Sequence, residues 1–190
     1  MMIRSLIAAA AALLLAAVPA AAQEANPAAI AEQKAAMERF AWMFGTWRGP
    51  AKGMTRAGPY EVTQTERIGP ILDGTVVVIE GKGFRADNSV AFNAFAILSW
   101  DVPTKTYKMR SHALGYAGDF VLTPIENGYT WQIPAGPGAT IDYKATFLGG
   151  IWTETGDYVA AGQPPRRIME MNIKRVGTTD WPRAGGLAKD

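Results

Sequence analysis

From Trp47 onward the chain is built of short runs rich in Val, Ile, Thr, Tyr, Phe and Trp, punctuated by Gly, Pro, Asn and Asp. A repeat of about ten residues with turn signals between runs is the pattern of consecutive antiparallel strands. Strands are predicted near 46–53, 59–68, 74–84, 90–100, 105–113, 117–124, 128–134, 139–148, 150–159 and 165–176. In run 90–100 one face carries Phe92, Ala94, Ala96, Leu98 and Trp100; in the last run Met169, Met171 and Ile173 oppose Glu170, Asn172 and Lys174. Period-two alternation of this kind marks a half-buried strand. The run 60–68 is less clean, because Gln64 and Glu66 share the parity of Tyr60, Val62 and Ile68. An inward face that is apolar but partly polar fits a barrel with a small cavity.

The links between runs carry turn chemistry, as in Leu72-Asp73-Gly74, Ala86-Asp87-Asn88, Glu126-Asn127-Gly128 and Leu148-Gly149-Gly150. No second helical pattern interrupts them, which argues against βαβ units. Short links favour an up-and-down sheet, and ten such strands avoid exposed edges most simply by closing. The predicted fold is therefore mainly β: an up-and-down antiparallel β-barrel of about ten strands over 46–176.

Residues 23–45 predict one amphipathic helix that packs on the barrel. Asn26 is placed to cap it, Pro27 opens it where a missing N–H is harmless, and Gly45 follows as a stop. Ile30, Met37, Phe40, Met43 and Phe44 fall roughly on one helical face. After Val176, residues 177–190 lose periodicity, and Trp181 with Pro182 is expected to anchor the start of this tail.

The first 22 residues change the picture of where the protein works. Arg4 precedes an unbroken apolar run that ends in Ala20, Ala21 and Ala22, the layout of a secretory signal peptide. Cleavage near Ala22 would leave a periplasmic or secreted chain without a membrane span, the apolar run being short for a bilayer. No cysteine is present, which removes disulfides, thiolate nucleophiles and cysteine metal sites. With Arg4 gone, 18 basic side chains face 17 acidic ones, a balance that does not suit nucleic acid.

Gly45 and Trp47 form a Gly-x-Trp at the entry of the first strand, behind a short helix, and Arg175 ends the last strand. This resembles the calycins, the lipocalin and fatty-acid-binding-like barrels. The resemblance implies that Trp47 plugs the closed end and that Arg175 stacks on it, a structural pair. The segments GYTWQIPAGPGATIDYKATF, IWTETGDYVAAGQPPRRIMEMNIKRV and GTTDWP resemble, over nearly the whole mature chain, exported bacterial proteins grouped as domain of unknown function 1579. That resemblance implies a lipocalin-like barrel and supplies no catalytic residues.

Candidate chemistry is sparse. His112 is the single histidine, so a catalytic triad or a multi-histidine metal site is out of reach. Haem on His112 is disfavoured, because it shares parity with Lys108 and Arg110, as on a solvated outer face, and no cofactor is expected. Arg110 has two readings: a lumen partner for a ligand carboxylate, or a surface residue. If Tyr107, Met109 and Ser111 point inward, Arg110 cannot. Trp100, Trp131 and Trp152, with Phe92, Phe147 and Tyr143, are rings to line a cavity or to pack a core. Glu154 and Asp157 fall on opposite strand faces and, with Glu170, make no carboxylate pair. The PAGPGAT stretch, 134–140, lacks the Lys-Ser/Thr ending of a phosphate loop and reads as a hairpin turn or cavity rim.

The expected function is binding of a small apolar or amphipathic molecule at Phe92, Trp100, Arg110, Trp131, Tyr143 and Trp152. Two alternatives stand beside it. One is a calycin-type isomerase, cyclase or lyase using Arg110, Tyr143 or Glu154, for which a buried ionisable group in the cavity would speak. The other is a packed barrel that binds a partner from outside.

Overall fold

The computed structural model describes residues 24–179 and 181. The predicted signal segment, and the tail from 182 on, lie outside these residues. Ten strands follow one short helix: β1 (Gly45–Thr55), β2 (Gly58–Ile71), β3 (Val76–Phe84), β4 (Val90–Asp101), β5 (Thr106–Ala113), β6 (Tyr116–Ile125), β7 (Gly128–Pro134), β8 (Ala139–Leu148), β9 (Ile151–Ala160) and β10 (Arg166–Gly177). Each pairs antiparallel with its chain neighbours, and β1 pairs with β10 to close the barrel. All ten predicted runs are strands, with ends that move by a few residues. No helix among the described residues is long and apolar enough to cross a membrane.

The helix is shorter than predicted. α1 spans Pro27–Met37, with the Asn26 side chain accepting from the Ala29 N–H at 3.1 Å, and the chain then winds into a 3-10 segment, Glu38–Met43. Gly45 is not a helix stop; it opens β1 at φ 133°. A Cβ there would lie 2.7 Å from the Gly177 carbonyl oxygen, so both the backbone conformation and the crowding favour glycine.

The 3-10 segment seals one end of the barrel, where Met37, Phe40, Met43, Trp47, Ile68, Leu98, Trp152 and Ile173 are almost fully buried. The rings interlock there: Trp42 stacks on Phe147 at 5.3 Å, and Trp152 meets Trp42 and Trp47 edge-on at 5.5 and 5.7 Å. Such contacts add about 0.5–1.5 kcal/mol each beyond burial. Polar ties hold the seal: Trp47 Nε1 donates to the Met43 carbonyl at 2.7 Å, Trp100 Nε1 to Glu32 at 2.7 Å, and the Tyr107 hydroxyl to the Ala36 carbonyl at 3.0 Å. Lys105 adds an ion pair to Glu32. At the start of the tail, Trp181 lies under the Arg67 guanidinium, 4.4 Å from it.

Candidate functional site in the barrel lumen

The core fixes which face of each strand points inward. Val62 and Ile68 are buried on β2, and Gln64 and Glu66 share their parity; Trp152 is buried on β9, and Glu154 shares its parity. Two carboxyl groups therefore face the lumen. Glu154 pairs across the sheet with Ala145 and Met171, and Ala145 in turn pairs with Tyr129. The small Ala145 leaves space on one side for the Glu154 carboxylate, which accepts from Trp131 Nε1 at 3.0 Å and lies against the Tyr129 hydroxyl. Glu66 pairs with Gly81, and its Oε1 accepts from Gln64 Nε2 at 2.7 Å. A Cβ on Gly81 would meet both Glu66 oxygens at 2.9 Å, so the carboxylate rests on the glycine.

Burial disfavours the charged form of each acid. It pushes Glu66 up to about 8; the Gln64 hydrogen bond opposes this, and the charges of Glu154 and Glu80 reinforce it. Burial lifts Glu154 less, to about 6, because Trp131 and Tyr129 stabilise its anion. Burial and the nearby Glu154 also push Tyr143 up to about 12. At neutral pH the lumen thus holds one mainly ionised and one mainly protonated carboxyl.

The lumen wall is asymmetric. On β1, β3, β4 and β5 most of its inward residues above the seal are small, among them Gly49, Ala51, Gly81, Gly83, Ala94, Ala96 and Ser111, with Phe92 on β4 the ring among them. On β6, β7 and β8 they are rings, with Phe120 edge-on to Trp131 at 5.3 Å and Trp131 stacked on Tyr143 at 4.3 Å. Phe120, Trp131, Tyr143 and Glu66 all keep partial solvent contact, unlike the sealed end. Two outer-wall grooves, about 430 and 550 Å³, are lined mainly by outward side chains such as Arg48, Lys82, Lys52 and Arg167.

Of the residues expected to bind a ligand, Trp131 and Tyr143 come together in the lumen, and Phe92 faces inward opposite Gly83, nearer the open end. Trp100 and Trp152 belong to the seal, the first bonded to α1 and the second packed on Trp42 and Trp47 with its Nε1 unpartnered among the described residues. Arg110 does not face the lumen. Met109 is the inward residue, and Arg110 points outward to Asp119 at 2.5 Å. His112 is exposed on the same outer face. Asp157 and Glu170 also point outward and bind Arg167, leaving Glu154 alone of that trio inside. Gln64 and Glu66 were not among the expected site residues, although their parity with Val62 and Ile68 was the signal for them.

Among the described residues no group of three or more His, Cys, Asp or Glu side chains is placed to hold a metal ion. What the lumen offers instead is a ring surface with acceptor oxygens at its inner end.

A scan against protein-family models gave no match, and a search of curated proteins by sequence gave none either. Among solved structures the chain is similar to the crystal structure of Rv2717c from M. tuberculosis, with a TM-score of 0.55 at 12% identity over 74% of this chain and 96% of that one. At that identity the likeness is one of fold: the closed antiparallel barrel.

Proposed function

We propose that this chain is an exported barrel that binds a small amphipathic molecule in the unsealed half of its lumen. The ligand's apolar part lies between Phe120, Trp131 and Tyr143 and the small-residue wall; its polar end reaches Gln64, Glu66 and Glu154. The observation that carries this reading is the asymmetry of the wall, with the partly exposed rings of β6, β7 and β8 set against mostly small residues of β1, β3, β4 and β5 and against the inward polar groups of β2. Rings of this kind stabilise an apolar ligand by about 25 cal/mol per Å² of surface removed from water. Export rests on residues 1–22.

Native mass spectrometry of the protein taken from its own compartment tests this, together with titration of the uncharged dye N-phenyl-1-naphthylamine. A co-purified small molecule, or dye binding that Trp131→Ala weakens, is the expected result. Absence of both sinks the reading.

One observation favours a second reading, an acid–base enzyme on the same scaffold. Two carboxyl groups with different proton affinities share one enclosed lumen, the condition under which one acts as acid and the other as base. A ligand recovered from the barrel in chemically altered form would favour it.

A further inference from the structure

We propose that the polar end of the ligand is a primary or secondary ammonium group, held between Glu66, Glu154 and Gln64 at the edge of Trp131. This rests on the lumen-binding reading and narrows it to a class of ligand.

The first support is charge. Two carboxyl groups face the lumen, and among the described residues no lysine or arginine faces them from its walls. Arg48, Lys52, Lys82, Lys108, Arg110, Lys144 and Lys174 have the outward parity of their strands. Arg166 sits at the open rim, 5.7 Å from the Tyr158 ring, and Arg175 at the sealed end beside Trp47. Buried carboxylates are normally paired. Here the described residues of the lumen wall supply no such partner.

The second support is hydrogen-bonding capacity. Gln64 is 5% exposed and faces inward, yet its carboxamide oxygen accepts no hydrogen bond among the described residues; its nitrogen is used on Glu66 and on the Thr65 carbonyl. Glu66 accepts through Oε1, and among the described residues no donor bonds Oε2. With Glu66 ionised, as a bound cation favours, these oxygens can accept, and an ammonium carries donors alone. The third support is the rings. Trp131 is fixed by its in-plane N–H bond to Glu154 and stacked on Tyr143, so an aromatic pair stands at the edge of the Glu154 carboxylate, where the carbons next to an ammonium can pack. A carboxylate ligand would meet two acids and no base, and a neutral alcohol would leave Glu154 uncompensated.

Three phenyl probes of matched shape separate these cases: 2-phenylethylammonium, 2-phenylethanol and 3-phenylpropanoate, titrated calorimetrically at neutral pH. The ammonium is expected to bind at least roughly tenfold more tightly than either other probe, the scale of one charge-assisted hydrogen bond. Glu154→Gln and, as an independent variant, Glu66→Gln are each expected to lower ammonium affinity without weakening the alcohol. Glu170→Gln, the same charge change on the outer wall, is expected to leave all three unchanged. Equal or tighter binding of the alcohol or the carboxylate overturns the inference, as does ammonium affinity unaltered in both lumen variants. If the naphthylamine dye binds and none of the phenyl probes does, the ammonium proposal fails while lumen binding stands. If the dye fails as well and no small molecule co-purifies, both fall.

Discussion

The guanidinium carbon of Arg175 lies 4.5 Å from the centroid of the Trp47 ring, although 128 positions separate the two residues in the chain. The same guanidinium donates to the carbonyl oxygens of Trp42 and Phe44, the last residues before β1. One planar cation thus stacks on the plug and fastens the 3-10 segment to β10. Arg175→Lys keeps the charge and loses the fork, so it is expected to be costly rather than conservative. The loss is about 1–3 kcal/mol, from two hydrogen bonds of a charged donor and part of the stacking. Urea denaturation followed by tryptophan fluorescence measures it; an unchanged midpoint would show the fork to be dispensable.

Two inward glycines separate a steric role from a site role. A Cβ on Gly49 would come within 2.1 Å of the Asn172 carbonyl oxygen, a backbone atom that cannot move without disturbing the β1–β10 pairing. Gly49→Ala is therefore expected to destabilise the barrel by about 1–3 kcal/mol or more. A Cβ on Gly81 meets only the end of the Glu66 side chain, at 2.9 Å, and that end can swing. Gly81→Ala should melt within a few degrees of wild type and yet change ammonium-probe affinity, because the carboxylate it displaces is the proposed contact. Melting curves and titration on both variants decide this, and a Gly81→Ala protein with wild-type affinity would remove Glu66 from the site.

The barrel was legible because its strands are bounded by Gly, Pro, Asn and Asp that suit turns, and because tertiary contacts such as Arg175 on Trp47 link motifs that the sequence shows separately. The site was only half legible. Trp131 and Tyr143 face the lumen as expected, but Trp100 and Trp152 share their parity and lie lower, in the seal. Parity tells inside from outside; it does not give height along the barrel axis, which depends on register and stagger. Gln64 and Glu66 weakened the alternation of β2, and that irregularity was itself the mark of a polar lumen. Gly45 followed the helical pattern closely enough to read as its stop, whereas the 3-10 turn ends the helix earlier and the glycine serves the strand.

Trp131→Phe tests how the Glu154 charge is held. The indole N–H is one of two groups that stabilise this anion against burial; the other is the Tyr129 hydroxyl. Removing the donor while keeping a ring should raise the Glu154 pKa above its value of about 6. Carbon-13 NMR titration of labelled glutamate side chains follows it directly. A pKa that stays put or falls would mean that the N–H contributes nothing to the anion.

The lumen acids also set a pH dependence of stability. An unfolded glutamate releases its proton near its ordinary value of about 4.3, whereas folded Glu66 holds it to about 8 and Glu154 to about 6. Between the unfolded and folded values the native state keeps a proton that the unfolded chain has lost, so stability falls as pH rises through that window. For Glu154 the loss is complete above about pH 6, and for Glu66 it continues to about pH 8. Surface carboxylates held low, such as Asp101 beside Lys108, act only at more acidic pH and do not mask the effect. Wild-type melting temperature is therefore expected to decline from pH 5 to pH 8. Glu66→Gln, which has no proton to lose, should flatten the upper part of that decline and exceed wild type at pH 8 by on the order of 2 kcal/mol, a shift of several degrees. Scanning calorimetry at unit pH steps gives both curves. Parallel curves, or a wild type that gains stability over this range, would mean that Glu66 is ionised in the folded barrel at neutral pH.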